Sequence, residues 1–153
     1  MITVSNLLEN DIRGSINEID EIWGRRLRDA INKFGSASPF DFLIWNGEKI
    51  AGIECKMLRE RKNSKPKSIP FSRISDTQRE GLIEINNFKN SKGIILVNFR
   101  YFSGKGKCFV LPIDYFLYLE QDLDRKSIPL SVFEETCESL ERYKKGWDLR
   151  LLL

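Results

Sequence analysis

The sequence predicts a mixed α/β protein: a small β-sheet with helices packed against it. Three observations predict this. Apolar residues recur at steps of three and four over the first part of the chain, which is helical spacing. Short runs rich in strand formers then take over, two of them joined at Asn46-Gly47, a strong hairpin turn signal. Helical spacing then returns between and after further apolar runs.

Taken in order, Ile12, Ile16, Ile19, Trp23, Leu27, Ile31 and Phe34 fall on one helix face. Ser15 and Glu18 have the form of a capping box that would start the firm part of that helix, and Gly35 would stop it. "FDFLIW" reads as a strand, and "EKIAGIECKML" as its return partner across the Asn-Gly turn. Residues 59–73 read as a loop, with Pro66 and Pro70 arguing against regular structure. "SDTQREGLIEINNFKN" reads as a helix capped by Ser75 or Asp76. "GIILVNFRYF" and "GKCFVLP" read as strands joined by "SGKG". A short helix is expected over 113–120, and a longer one over 131–146 with a Ser131–Glu134 capping box and Gly146 as its stop. The tail "WDLRLLL" reads as a last strand. The order is αββαββαα, with no repeat and no low-complexity linker, and it fits one domain over residues 1–153.

Composition excludes several chemistries. The chain is 41% hydrophobic and 31% charged, a globular balance. It has no histidine, and its three cysteines, Cys55, Cys108 and Cys137, form no CxxC pair. Zinc fingers and Ser-His or Cys-His catalysis are therefore excluded. Reduced core cysteines point to a cytoplasmic setting. No apolar run is long enough to span a bilayer, and the first residues lack the pattern of a secretory signal. Net charge is only +3, but Lys56, Arg59, Arg61, Lys62, Lys65, Lys67 and Arg73 cluster against the single acid Glu60. Such a cluster is either a phosphate-binding patch or a solvated loop.

The hairpin carries the chemistry. Side chains alternate along a strand, so Gly52, Glu54 and Lys56 share one face while Ala51, Ile53 and Cys55 take the other. Asp41 stands where the partner strand begins. Two carboxylates brought together repel unless a cation sits between them. A hard ion such as Mg²⁺ takes oxygen ligands and can polarise a phosphodiester, and Lys56 can neutralise charge developing on the phosphate. An ordinary surface ion pair of Glu54 with Lys56 or Lys49 accounts for the same pattern.

Beyond this spacing, "SPFDFLIWNGEKIAGIECK" resembles the metal-binding hairpin of the PD-(D/E)XK nuclease superfamily, and more closely that of the RecU-type Holliday-junction resolvases. "IPFSRISDTQREGL", "GIILVNF", "DRKSIPLSVFEE" and "RGSINEIDEIW" resemble other segments of that family, and the likeness covers roughly residues 13–135. The resemblance implies a restriction-endonuclease-like core. It implies Asp41 and Glu54 as metal ligands with the Cys55 carbonyl as a third, and Mg²⁺, or Mn²⁺ in its place, as the ion. It makes Lys56 the catalytic lysine, Gln78 the residue holding water or phosphate, and Glu18 an outer acid on the first helix, where the capping-box role stands beside it. Arg59, Arg61, Lys62, Lys65, Lys67 and Arg73 would bind DNA. The implied activity is resolution of four-way junctions by a homodimer. The chain departs from the family in lacking a stalk-like insertion before Asp41, as a shortened, phage-encoded relative would. That leaves two alternatives: a nuclease for flaps, duplex or a restriction site, and a DNA-binding module that does not cut.

Overall fold

The computed structural model describes residues 7–27 and 38–153. Its centre is a five-stranded mixed sheet with strands at Trp23–Arg26 (β1), Phe42–Trp45 (β2), Ile50–Arg59 (β3), Ser91–Tyr101 (β5) and Gly104–Pro112 (β6), in the order β1-β2-β3-β5-β6. Only the β3–β5 pair is parallel; its neighbours are antiparallel. A parallel pair needs a crossover, and here it contains the helix Asp76–Asn86 (α2). Helices at Leu7–Glu18 (α1), Ile113–Asp122 (α3) and Leu130–Thr136 (α4) complete the layers. This is the small mixed sheet flanked by helices expected of a restriction-endonuclease-like core.

Alternation along the strands feeds two apolar cores. Phe42, Ile44, Ala51, Ile53, Ile94 and Leu96 pack with Leu8 and Ile12 of α1 and with Trp147 and Leu149 near the C-terminus. Ile95, Val97 and Phe99 face the opposite way, onto Leu82 of α2, Phe116 of α3 and Phe133 of α4. Cys108 is buried, Cys55 and Cys137 are half-buried, and all three are free thiols. Among the described residues no helix is long and apolar enough to cross a membrane.

Several expectations change. The first helix ends at Glu18, and residues 23–26 form the edge strand β1. The acids Glu18, Asp20 and Glu21 crowd the end of α1, where the helix dipole disfavours negative charge. Gly24 then lets β1 lie close, because a Cβ there would sit 2.9 Å from Ile16 Cδ1 and 3.0 Å from Ile44 Cγ2. Ile31, Phe34 and Gly35 lie outside the described residues. Ser15 caps nothing: its Oγ donates to the Asp11 carbonyl (2.9 Å) and accepts from the Trp147 N–H (2.8 Å). At the other end α4 stops at Thr136, because the chain turns to pair along β6, with Val110 N–H on the Glu138 carbonyl and Leu140 N–H on the Cys108 carbonyl. Ser131 is not its cap; Pro129 precedes the helix. Strands Arg142–Tyr143 (β8) and Gly146–Trp147 (β9) form a small hairpin. The tail is a 3-10 turn over Leu149–Leu152, which buries Leu149 and Leu152 at a spacing of three.

Against the expectation of no repeat, the chain carries one short one. Lys-Ser-Ile-Pro occurs at 67–70 and again at 126–129. The strands Ser68–Pro70 (β4) and Ser127–Pro129 (β7) lie within these copies and pair antiparallel, Ile69 opposite Ile128. Part of the expected 59–73 loop is therefore a strand, and a 3-10 turn over Phe71–Arg73 follows it.

Candidate active site

Asp41 and Glu54 meet because of the hairpin register. Phe42 pairs with Ile53, and the Asp41 N–H donates to the Ile53 carbonyl (2.9 Å), which continues the ladder one step and sets Asp41 against Glu54. The Asn46 side chain holds the turn by accepting from the Glu48 and Lys49 N–H groups (3.0 and 2.7 Å), and Gly47 takes a positive φ of 96°. Asp41 Oδ2 accepts the Cys55 N–H at 2.8 Å. The carboxylate is thereby fixed at the strand end.

Glu54 is 3% exposed. Its Oε1 lies 3.3 Å from Lys56 Nζ and accepts from Gln78 Nε2 at 2.8 Å. Burial, and then the charge of Asp41, push its carboxyl up to about 8 against the opposing pull of Lys56. Three carboxylates, Asp41, Glu54 and the nearby Glu9, share two cations, Lys56 and Arg26, so the cluster is one positive charge short. The opposed pair Asp41 and Glu54 fits a hard cation, which takes oxygen donors and would favour the ionised form of Glu54. The Cys55 thiol belongs to the opposite sheet face, and burial raises its pKa well above the usual thiol range. Only its backbone carbonyl suits such an ion. Among the described residues no three His, Cys, Asp or Glu side chains converge as a ligand group, so any cation here would draw on carbonyl and water oxygens too.

Gln78 reaches Glu54 from α2. Ser75 is the helix cap and, with Gln78, completes a capping box: the Gln78 N–H donates to Ser75 Oγ (3.2 Å), and the Ser75 N–H donates to Gln78 Oε1 (2.9 Å). With Oε1 taken by the cap, the amide presents its NH₂ to Glu54. Gln78 therefore orients a ligand candidate as well as starting a helix.

Glu18 is not at the site. It is the last residue of α1, exposed, and paired with Lys144 Nζ at 2.8 Å. The acid that α1 does bring near is Glu9. Burial, and next the charge of Asp41, raise its carboxyl above the ordinary range, with Arg26 opposing. Arg26 on β1 bridges the two acids, Nε 3.3 Å from Glu9 Oε2 and Nη2 3.4 Å from Asp41 Oδ1. Neither Glu9 nor Arg26 stood out in the sequence. Leu8, one turn before Ile12, is the signal that the helix begins early enough to place Glu9 beside its buried face.

The basic residues divide. Arg59, Arg61 and Arg73 line a cleft of about 380 Å³ with Met57, Leu58, Ser64, Pro66 and Ser68. Its lining starts at Met57, the residue after Lys56 on β3. Lys62 lies in a tight turn closed by paired backbone hydrogen bonds between Arg61 and Ser64 (2.9 and 3.0 Å). Lys65 sits 5.8 Å over the Tyr101 ring, and Lys67 is exposed at the start of β4.

No family model matches the sequence, and no curated protein matches it. Among solved structures the chain is similar to Hjc of Archaeoglobus fulgidus, a Holliday junction resolvase from an archaeal hyperthermophile. The two share 20% identity over 84% of this chain and 90% of that one, with a TM-score of 0.49.

Proposed function

We propose that residues 1–153 form one nuclease domain: a divalent-metal-dependent DNA endonuclease that cuts four-way junctions as a homodimer in a reducing, cytoplasmic setting. One observation carries this reading. Asp41 and buried Glu54 oppose each other with Lys56 on the same strand face as Glu54, and the strand that carries Glu54 and Lys56 runs on to line an arginine-rich cleft from Met57 to Arg59.

Asp41, Glu54 and the Cys55 carbonyl would hold Mg²⁺ or Mn²⁺. When bound, that ion supplies Lewis acidity and lowers the pKa of a coordinated water. The remaining work belongs to the chain. Lys56 Nζ, 3.3 Å from Glu54 Oε1, would offset charge developing on a phosphate held at the carboxylate pair. Gln78 and the Cys55 N–H fix the two carboxylates, so their geometry is set before substrate arrives. Arg59, Arg61 and Arg73 take the strand's phosphates, which positions the backbone without reading bases. A four-way junction presents two symmetric strands, and two sites related by a two-fold axis suit it.

The test is strand cleavage of a synthetic four-way junction beside a linear duplex of the same arm sequence, with Mg²⁺ and with chelator. Paired symmetric nicks on the junction, only with metal, are expected. Equal cutting of both substrates would retain the nuclease and remove the junction role. No cutting with either Mg²⁺ or Mn²⁺ would leave a DNA-binding module.

A further inference from the structure

The Lys-Ser-Ile-Pro repeat lies outside the carboxylate site, yet it is built with unusual regularity. Its two copies pair with Ile69 opposite Ile128. The closing hydrogen bonds are reciprocal. The Phe71 N–H donates to the Lys126 carbonyl (3.1 Å), and the Leu130 N–H donates to the Lys67 carbonyl (2.7 Å). A local two-fold axis therefore passes between the two isoleucines.

Burial accounts for half of the motif. Ile69 and Ile128 are 3% and 0% exposed, in the core with Phe71, Phe116 and Phe133. Proline at each strand end fixes φ and stops the ladder. Nothing in the core calls for Lys-Ser ahead of each isoleucine. Alternation turns Ser68 and Ser127 to the outer face, and Lys67 and Lys126 are exposed. The serines are diagonal neighbours, Ser68 opposite Pro129 and Ser127 opposite Pro70, which sets them about 7–8 Å apart. Ser68 is also a wall of the cleft that holds Arg59, Arg61 and Arg73. One copy of the repeat thus lines the cationic cleft, and the other lies beside it as the second strand of the ribbon. The second copy follows Asp122, Asp124 and Arg125, so its local charge is balanced, and Arg125 and Lys126 are both exposed.

We propose that the ribbon is a phosphate-binding element, in which Lys67 and Ser68 from one copy and Lys126 and Ser127 from the other grip a nucleic-acid backbone leaving the cleft. Ammonium and hydroxyl groups are ordinary donors to phosphate oxygens. Backbone pairing fixes the spacing of the two serines before binding, and the exposed lysines reach out from the two ends of the ribbon, so less ordering is left to the moment of contact. The proposal rests on the nucleic-acid reading above and adds a contact surface from the second half of the chain.

The test compares wild type, Lys67→Ala, Lys126→Ala and the double variant, by fluorescence anisotropy over a salt series, on a four-way junction and on a linear duplex. Each single variant is expected to weaken binding about threefold to tenfold regardless of sequence, and to reduce the log–log salt slope by about one. The double variant should lose about two, because the sites are separate and equivalent. Thermal midpoints should hold, since only the lysine backbones bond within the ribbon. Lys126→Arg, which keeps the charge, should restore the slope. If Lys67→Ala weakens binding and Lys126→Ala does not, the ribbon is not a paired element and the proposal falls while the nuclease reading stands. If neither variant weakens binding, the outcome is the same. Failure of the wild type to bind either DNA would overturn the nucleic-acid reading itself.

Discussion

Gln78 Nε2 donates to Glu54 Oε1 at 2.8 Å because Gln78 Oε1 is already held by the Ser75 N–H at 2.9 Å. One amide thus couples the start of α2 to the candidate metal site. Gln78→Ala removes both bonds. It should lower stability by about 1 kcal/mol, through loss of the side-chain half of the capping box, and cleavage about tenfold to a hundredfold, as removal of a ligand-orienting partner does. Gln78→Glu keeps a capping acceptor but turns a second carboxyl toward Glu54. It should retain the cap and still lose activity. Thermal melts and Mg²⁺ titrations of both variants separate the two roles; equal stability loss in both would reject the coupling.

The raised Glu54 carboxyl makes a pH prediction. Well below its ordinary value of 4.5, Glu54 is protonated in both the folded and the unfolded chain. Between its ordinary range, 4.5, and its folded value of about 8 the unfolded chain gives up a proton that the folded chain keeps. Stability of the metal-free protein should therefore fall as pH rises through this window, by up to about 5 kcal/mol if the whole shift is realised, and level off above it. A bound cation favours the ionised form, so the Mg²⁺-induced rise in midpoint should grow from pH 6 to pH 9. A Mg²⁺ effect independent of pH would remove Glu54 from the site.

The two acids of α1 should behave differently. Glu9 is held by Arg26 and couples to Asp41, whereas Glu18 makes a solvent-exposed pair with Lys144. Glu9→Gln is expected to reduce cleavage tenfold or more. Glu18→Gln should leave cleavage and the thermal midpoint unchanged. Side-by-side rates at one Mg²⁺ concentration decide this, and the reverse order would restore Glu18 as the helix acid.

Glycine substitutions report how tightly α2 lies on the sheet. A Cβ on Gly93 of β5 would come 2.2 Å from the Leu82 carbonyl oxygen, a backbone atom that can yield only if α2 lifts. Gly93→Ala should cost about 2–3 kcal/mol and reduce cleavage, since Gln78 rides on that helix. Gly14 of α1 has open space around its missing Cβ, so Gly14→Ala should add up to about 1 kcal/mol. Urea unfolding of the two variants provides the contrast.

What the sequence made legible was local. The β2–β3 hairpin rests on an Asn-Gly turn and on alternation, both readable within a few residues, and it carries Asp41, Glu54 and Lys56. Gln78 was legible through its cap and a resemblance. β1 was not, because Trp23 and Leu27 happen to continue the helical spacing of Ile12, Ile16 and Ile19, and a four-residue strand is too short to show its own period. Glu9 and Arg26 were missed for the same reason: their roles depend on where α1 ends and β1 begins. The pairing of the two Lys-Ser-Ile-Pro copies is a contact between distant segments, which no local window reports.

The contrast between the Asn-Gly hairpin and the parallel β3–β5 pair also sets an order of assembly. Asp41 and Glu54 lie on neighbouring strands that close through a short turn, a step of microseconds. β3 meets β5 only after the chain between them has formed α2 and crossed over, and such non-local pairing comes late and slowly. The expected order is that the two carboxylates approach each other while water still screens them, and that Glu54 is buried afterward, when β5 and α2 dock. Refolding of the metal-free chain should accordingly be faster at pH 5 than at pH 8, with the difference narrowed by Mg²⁺.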